Sequence, residues 1–381
     1  MEILVGEGGR GTTRPKKKKK SMVPRWARLC TVFGAVLMVL SGVVLVGYEA
    51  LLARYEGAVG EGDLFGDKAA GAQEKKSDIK GPLNILLVGI DPRTPEATPL
   101  ADSIMVMHVN TTLDQAYLFS MPRDLRVQIP AFEKADYRGG TDKLNAAMSH
   151  GSRVPGKNPD ASRGFELLSK TITNVTGITR FDAGAIINFG GFLKIVDAMG
   201  GVDMYIDTNV KSEHREPDGT HRQLKPGGGT YLGPQAEYKK GNAHLEGWQA
   251  LDYVRQRKTL PNGDYDRQRH QQQFVRAMAD QALSKDVVTN PIKLDSVLRA
   301  AGKALVFNGR GHSVADFGFA LRGLGSDGIQ MIKLPGRGVG TKSNYQGEEF
   351  LPVADEFFQA LKAGDVDSFM ISHPELLNNV K

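Results

Sequence analysis

The chain has 381 residues, 40% of them hydrophobic and 24% charged, which is typical of a folded protein and excludes a wholly disordered one. Its formal net charge of +6 arises in the N-terminal tail, because residues 1–28 hold nine Lys or Arg against two Glu and leave about −1 for residues 29–381. A basic surface on the folded part is therefore not expected, and we predict no nucleic-acid partner.

A membrane anchor is predicted directly after the basic tail. Residues 29–48 form an uncharged, largely apolar stretch, which is long enough to cross a bilayer as a helix. Because cations precede the stretch and acidic residues follow it, the N-terminus is predicted to be cytoplasmic and the rest extracytoplasmic. A cleaved signal peptide would have a shorter apolar core. We therefore expect a single-pass protein of the cell membrane, with Lys16 to Lys20 contacting anionic membrane lipid.

The remaining chain divides by composition. Residues 49–81 are rich in Gly, Ala and charge and predict a flexible spacer. Residues 82–284 predict the main extracytoplasmic domain, and 285–381 a helical and strand extension packed on it. The only cysteine, Cys30, falls in the predicted span, so the exported part has no disulfide.

Regular elements are predicted from Pro82 onward. Leu83 to Ile90 is a continuous apolar run, typical of a strand buried on both faces. Further strands are predicted at 103–109, 115–121, 184–189, 202–206 and 328–334, and helices at 163–175, 192–199, 244–257, 266–283, 291–304, 313–324 and 353–363. Residues 211–240 form a polar, Gly-rich segment, called the excursion below. These elements predict an α/β (or α+β) layered domain with a central mixed sheet flanked by helices.

Two acidic residues lie at the ends of predicted strands. Asp91 directly follows the first strand and Asp102 directly precedes the second. If the two strands are neighbours, both carboxylates can meet at one edge of the sheet. Such a pair suits Mg²⁺, which keeps several waters and takes further ligands from substrate phosphates. The same acids would also serve as turn caps beside Pro92 and Pro99, and their spacing alone does not decide between the two interpretations.

Several basic residues fall at element ends within apolar surroundings, namely Arg93, Arg123, Lys143, Arg255, Arg257 and Arg267. Guanidinium groups bind phosphate oxygens in pairs and stay charged, although each such residue alone is typical of an ordinary solvated surface. Arg267 and Gln271 are four residues apart and are predicted to share a helix face, on which His270 is also expected. No HExxH, GxSxG, Walker A or GxGxxG element with suitable flanks is present in the sequence.

Seven blocks, in order, resemble the signature blocks of the LytR-CpsA-Psr family. Behind a basic tail and a predicted span, their order makes the resemblance specific. The blocks are NILLVGID (Asn84–Asp91), ADSIMVMHVN (Ala101–Asn110), SMPRD (Ser120–Asp124), DKLNAAMSHG (Asp142–Gly151), FGGFLKIVDAMGGVDM (Phe189–Met204), HLEGWQALDYVRQR (His244–Arg257) and GDYDRQRHQQQ (Gly263–Gln273).

The resemblance implies a magnesium-dependent phosphotransferase that moves a glycopolymer from a polyprenyl-pyrophosphate carrier onto peptidoglycan and releases polyprenyl phosphate. It implies that Asp91 and Asp102 bind Mg²⁺ and that the pyrophosphate is bound by Arg93, Arg123, Arg255, Arg257, Arg267 and Gln271. The catalytic set it implies is Arg123, Lys143, Arg255, Arg257 and Asp124, where Asp124 either orients Arg123 or acts as base. Many relatives carry arginine where this chain has Leu100 and His270.

Two other functions would use the same residues. A pyrophosphatase would transfer the phosphate to water instead of a sugar hydroxyl, and a non-catalytic scaffold would bind the lipid-linked sugar without turnover. A transcription regulator would need a cytoplasmic DNA-binding element, and the 28 residues before the predicted span hold no helix-turn-helix pattern.

Overall fold

The structure is a computed structural model that describes residues 60–66, 78–92, 94–283, 296–297, 299–300, 302–341 and 343–378. The predicted basic tail and membrane span lie outside these residues, as do most of the predicted spacer and half of the helix predicted at 291–304. Within the described residues, no helix combines the length and the apolar character that crossing a bilayer requires.

The strands follow the predicted order, with several additions. They are β1 (Gly60–Glu61), β2 (Leu83–Ile90), β3 (Ala101–Val109), β4 (Ala116–Ser120), β5 (Arg126–Ile129), β6 (Gly140–Lys143), β7 (Ala183–Asn188), β8 (Val202–Ile206), β9 (Val210–Lys211), β10 (Glu237–Tyr238), β11 (Gly241–Leu245), β12 (Leu305–Asn308), β13 (Ile329–Ile332), β14 (Gly336–Thr341) and β15 (Asn344–Phe350). The α-helices include α1 (Leu144–Ser152), α2 (Ala161–Thr176), α3 (Phe189–Ala198), α4 (Gly247–Arg255), α5 (Asp264–Leu283), α6 (Val314–Ala320), α7 (Pro352–Ala363) and α8 (Val366–Ser372).

A seven-stranded mixed sheet, in the order β1-β12-β7-β2-β3-β4-β13, forms the centre of the fold. β2 pairs in parallel with β7 and antiparallel with β3, so it lies in the middle of the sheet. Its successive side chains point to opposite faces and most of them are buried, which is why the strand is apolar throughout. The predicted central mixed sheet flanked by helices is confirmed.

Helices cover both faces of the sheet. On one face Leu86 and Phe119 pack in a core with Phe165 of α2 and Phe357 of α7. On the other face Leu118 packs in a core with Phe317 of α6. Because β13 is an edge strand of the sheet and Phe357 is fully buried, residues after 285 contribute directly to the main core.

A smaller layer beside the main sheet holds a second hydrophobic core. β8 pairs antiparallel with β11, and α3, α4 and α5 pack with this pair around Val196, Tyr253 and Phe274. The single helix predicted at 244–257 is here a strand and a helix. His244 belongs to β11, opposite Asp203, and α4 begins after Glu246, which forms a capping box with Gln249.

We expect Phe357→Ala to lower the free energy of unfolding by about 3–5 kcal/mol, because it leaves a cavity in a core that α7 shares with the central sheet. Denaturant titration of the purified protein measures this change. Ile371→Ala, at a position 81% exposed in the next helix, is the control and should change stability by less than about 0.5 kcal/mol. Similar small losses in both variants would contradict the packing described.

The buried carboxylate of Glu166 predicts a pH-dependent contribution to stability. Lys134 and Lys170 donate to it at 2.7 and 2.8 Å. Burial alone would raise its pKa, but these two hydrogen bonds outweigh burial and lower the pKa below its ordinary value of 4.5. The stabilisation is thus complete above the unfolded-state pKa and is lost as pH falls through the lower folded-state pKa.

We therefore expect Glu166→Gln to cost about 1–2 kcal/mol at neutral pH, because hydrogen bonds to a charged group contribute roughly 1.5–3 kcal/mol and solvent screens the two half-exposed lysines. The difference from the unaltered protein should shrink as the pH falls below 4.5. Denaturant midpoints recorded across that pH range test the expectation. A difference independent of pH would mean that the charge of Glu166 is not what stabilises the fold.

Candidate phosphate-binding site

A pocket of about 270 Å³ lies beside the ends of two central strands, where β2 ends and β3 begins. It also contains residues from α3, α4, α5 and the excursion. Its lining residues are Asp91, Asp102, Ser103, Arg123, Phe189, Glu213, His214, Arg255, Arg257, Lys258, Arg267 and Gln271. The structure thus brings together both predicted acids and five of the predicted phosphate ligands.

The strand register places the two acids at these strand ends. In the antiparallel pairing of β2 with β3, Asp91 directly follows Ile90, which lies opposite Ala101. Asp102 does not precede β3 as predicted but is its second residue, and it lies at the register shift between the pairs Ile90–Ala101 and Gly89–Ser103. Each carboxylate contacts one arginine. Arg255 Nη2 donates to Asp91 Oδ2 at 3.1 Å, and Arg123 Nη1 donates to Asp102 Oδ1 at 2.7 Å.

Arg123 lies in the turn after β4, where the backbone is fixed by tertiary hydrogen bonds. Asn145 N, at the start of α1, donates to the Arg123 carbonyl at 2.9 Å. Burial opposes the charge on the guanidinium, but the carboxylates of Asp264 and Asp102 outweigh burial and raise the pKa of Arg123. The side chain therefore stays charged in a half-buried position at the pocket wall.

The end of α4 supplies two further arginines. α4 ends at Arg255 and Gln256 is extended, so side chains beyond this point alternate in direction. Gln256 is buried and its Nε2 donates to Asp252 Oδ1 at 2.9 Å, while Arg255 and Arg257 line the pocket. Arg255 also lies over the Phe189 ring, 4.4 Å from its centroid, which holds the guanidinium in a cation–π contact.

Arg267 and Gln271 share one face of α5 and both line the pocket, as predicted. Arg267 Nη2 lies 2.9 Å from Asp264 Oδ1 and donates to the Asp102 carbonyl at 3.2 Å. Burial lowers the pKa of Arg267, and the carboxylate of Asp264 only partly offsets that effect. Its Nε is buried and has no hydrogen-bond partner, so the guanidinium retains donor capacity for an anion.

The pocket carries more cations than anions. Arg123, Arg255 and Arg267 each lie within 4.0 Å of a carboxylate, whereas Arg257 forms no ion pair with any described residue. Lys258 is paired with Glu213 at 2.6 Å. Several guanidinium groups in one pocket, with Arg257 unpaired among the described residues, suit a ligand with several anionic oxygens, such as a diphosphate.

The residues present fit Mg²⁺. Asp91 and Asp102 are hard oxygen donors at one edge of the pocket, and the described part of the chain contains no cluster of three or more His, Cys, Asp or Glu able to enclose a metal. An ion that takes one or two carboxylates, waters and substrate phosphate oxygens needs no such enclosure.

Three other predicted residues that the structure describes do not line the pocket. Lys143 Nζ pairs with Asp124 Oδ1 at 3.2 Å and lies over the Tyr345 ring, and neither residue lines the pocket. Arg93 is outside the described residues. His270, expected on the face of Arg267 and Gln271, does not line the pocket, because it is fully buried and stacks on Tyr253 with ring centroids 4.4 Å apart.

Several pocket residues were not predicted. Ser103 Oγ donates to Gln271 Oε1 at 2.9 Å. Ser103 directly follows Asp102 in the sequence, and this position could have identified it as a pocket residue. Lys258 directly follows Arg257 and could have been predicted in the same way. Glu213 and His214 belong to the excursion, where no periodic pattern marks a side chain that faces a site, and tertiary contacts alone place them there.

Comparisons with known proteins agree on one family. The model of the LytR_cpsA_psr family matches residues 61–362. The cell wall biosynthesis protein LcpA of Corynebacterium glutamicum is 27% identical over 353 residues, which cover 84% of this chain and 63% of that protein. The polyisoprenyl-teichoic acid–peptidoglycan teichoic acid transferase TagV of Bacillus subtilis is 29% identical over 286 residues, 74% of this chain and 63% of that protein.

The fold has solved counterparts as well. The crystal structure of B. subtilis TagV aligns with a TM-score of 0.55 at 24% identity and covers 76% of this chain and 98% of that one. At this identity the likeness shows a shared fold. This chain thus spans less than two thirds of the length of the two curated relatives but nearly the whole TagV crystal structure.

We expect Arg257→Gln to weaken the binding of inorganic pyrophosphate about tenfold, or ~1.4 kcal/mol, because it removes the pocket guanidinium that no described carboxylate pairs with. Isothermal titration calorimetry measures the affinity. Arg322→Gln, at an exposed position outside the pocket, should bind like the unaltered protein. Unchanged affinity in Arg257→Gln would mean that Arg257 does not contact the anion.

Proposed function

Because this chain belongs to the LytR_cpsA_psr family, we propose that it is a membrane-anchored phosphotransferase that moves a glycopolymer from a polyprenyl-pyrophosphate carrier onto peptidoglycan. The observation that carries this proposal is the meeting of Asp91, Asp102 and four arginines in one pocket. The names of relatives support the reaction class, since TagV is named as a transferase of teichoic acid onto peptidoglycan and LcpA as a protein of cell wall biosynthesis.

In the proposed reaction the pyrophosphate of the donor binds the arginines. Arg257 and the buried Arg267 contact its oxygens, and Arg123 and Arg255 exchange part of their contact with Asp102 and Asp91 for contact with the donor. Guanidinium groups held at fixed positions stabilise the charge that grows on the leaving phosphate more strongly than water does. The products are a phosphodiester on the acceptor and polyprenyl phosphate.

Asp91 and Asp102 are the residues that would hold Mg²⁺. When bound, the ion would neutralise charge on the pyrophosphate oxygens. The two carboxylates have a second role, because they orient Arg255 and Arg123 before the donor arrives. Such preorganisation lowers the cost of arranging the site during the reaction.

The proposed location follows from the donor. A carrier with a polyprenyl chain stays in the membrane, so the domain must work at its surface. An anchor at residues 29–48 with the N-terminus in the cytoplasm would hold the domain on the outer face, where peptidoglycan is found.

A direct test supplies a polyprenyl-pyrophosphate-linked sugar with and without a peptidoglycan acceptor and measures release of polyprenyl monophosphate. We expect release that depends on the acceptor and falls at least about a hundredfold in Asp102→Ala and in Arg255→Ala, since each removes a fixed charge next to the pyrophosphate. Asp203→Ala, whose side chain is 82% exposed and outside the pocket, should keep full activity.

The control reactions separate the related functions. Equal release of polyprenyl monophosphate without acceptor would show that the protein is a pyrophosphatase and not a transferase. Tight donor binding with no release under any condition would replace it with a binding scaffold.

A further inference from the structure

Transfer to a sugar hydroxyl needs a group that accepts the hydroxyl proton. Of the pocket carboxylates, Asp91 and Asp102 are each bound by an arginine and are the proposed metal ligands. Asp124, the base that the resemblance allows, is paired with Lys143 at 3.2 Å and does not line the pocket. Glu213, the third pocket carboxylate, is paired with Lys258 at 2.6 Å. Each pocket carboxylate is therefore already bound by a cation, and the proton needs another acceptor.

The excursion supplies a suitable group. Glu213 and His214 both line the pocket, next to Arg255 and Lys258. Glu213 Oε1 is held by Lys258 Nζ at 2.6 Å, and Glu213 Oε2 lies 3.8 Å from His214 Nε2. The His214 ring nitrogens make no hydrogen bond with any residue that the structure describes, so the unprotonated nitrogen of the neutral ring can accept a proton from a ligand.

The turn that carries His214 is fixed by buried polar groups. Ser212 is fully buried, and its Oγ accepts from His214 N at 3.1 Å and from Arg215 N at 2.8 Å. Glu213 N donates to Oε1 of the buried Gln256 at 2.8 Å. The Tyr231 ring meets the imidazole edge-on at a centroid distance of 4.9 Å. The imidazole therefore projects from a rigid support, as a group that must meet a reacting atom requires.

Burial favours the neutral imidazole of His214. Burial is the main effect and lowers its pKa. Among the charged neighbours, Arg255 and Lys258 act in the same direction, whereas Glu213 and Asp252 oppose it, and the net result is a lowered pKa. A histidine with a lowered pKa is mostly unprotonated at neutral pH, which is the form that a base needs.

We infer that His214 is the base that accepts the proton of the acceptor hydroxyl, an inference that rests on the proposed function. In the step, the hydroxyl oxygen forms a bond to the phosphorus that carries the glycopolymer. The bond from that phosphorus to the bridging oxygen breaks, and the bridging oxygen leaves with the polyprenyl phosphate. The hydroxyl proton moves to a His214 ring nitrogen, and the Glu213 carboxylate stabilises the imidazolium that forms.

The test uses the full chain in detergent micelles, a polyprenyl-pyrophosphate-linked sugar as donor and a peptidoglycan acceptor. We expect His214→Ala and His214→Gln to slow transfer about a hundredfold, the usual contribution of general base catalysis. Donor affinity should stay within about twofold, because the arginines remain. The rate of the unaltered chain should fall on the acid side as the imidazole is protonated, and both variants should lose this dependence. His221→Ala, an exposed histidine of the same excursion, should keep the full rate and the same pH profile.

Each other outcome overturns the inference in a distinguishable way. Full transfer by both His214 variants would show that another group takes the proton while the proposed function stands. Loss of donor binding together with transfer would make His214 part of the donor site or of the fold, and not the base. Slow transfer with an unchanged pH profile would make it a positioning residue. No transfer by the unaltered chain would overturn the proposed function and the inference with it.

Discussion

The backbone pairing of β2 with β3 determines where the functional site can form. Its register sets Ile90 opposite Ala101 and Gly89 opposite Ser103, so Asp91 directly after β2 and Asp102 near the start of β3 lie at the same end of the two strands. Both strands lie inside the sheet and bury side chains on both faces. A shift by one residue would turn every side chain of a strand to the opposite face and break its packing there. The packing of the core therefore also fixes the position of the acids.

Opposite charges then keep the pocket arginines in place without a ligand. A partly buried guanidinium without a counter-charge is costly, and Asp102, Asp91 and Asp264 reduce that cost for Arg123, Arg255 and Arg267. These contacts also restrict the rotamers of long side chains, so less entropy is lost when an anion binds. Arg257, with no such partner among the described residues, remains available for the first contact.

The sequence was sufficient for the parts of the site that follow from local pattern. Asp91 and Asp102 were predicted to meet if their two strands were neighbours, and Arg267 and Gln271 to share a helix face. All four line the pocket. Lys143 and His270 show where such reasoning ends, because the ion pair of Lys143 with Asp124 and the stacking of His270 on Tyr253 depend on residues distant in sequence. The hairpin of β14 and β15 was missed for a related reason, since its mostly exposed residues lack an apolar alternation.

Glu213 and His214 are the clearest case of a site feature that no local pattern could predict. Both residues lie outside any helix or strand, and their position depends on Gln256, which donates to Asp252 and accepts from Glu213 N. Gln256 is buried and lies between Arg255 and Arg257, so one side chain anchors both the arginine segment and the root of the excursion. The proposed donor-binding arginines and the proposed base thus share one rigid support. A displacement of either group would move the other, which keeps the phosphorus and the acceptor hydroxyl in a constant relation during the reaction.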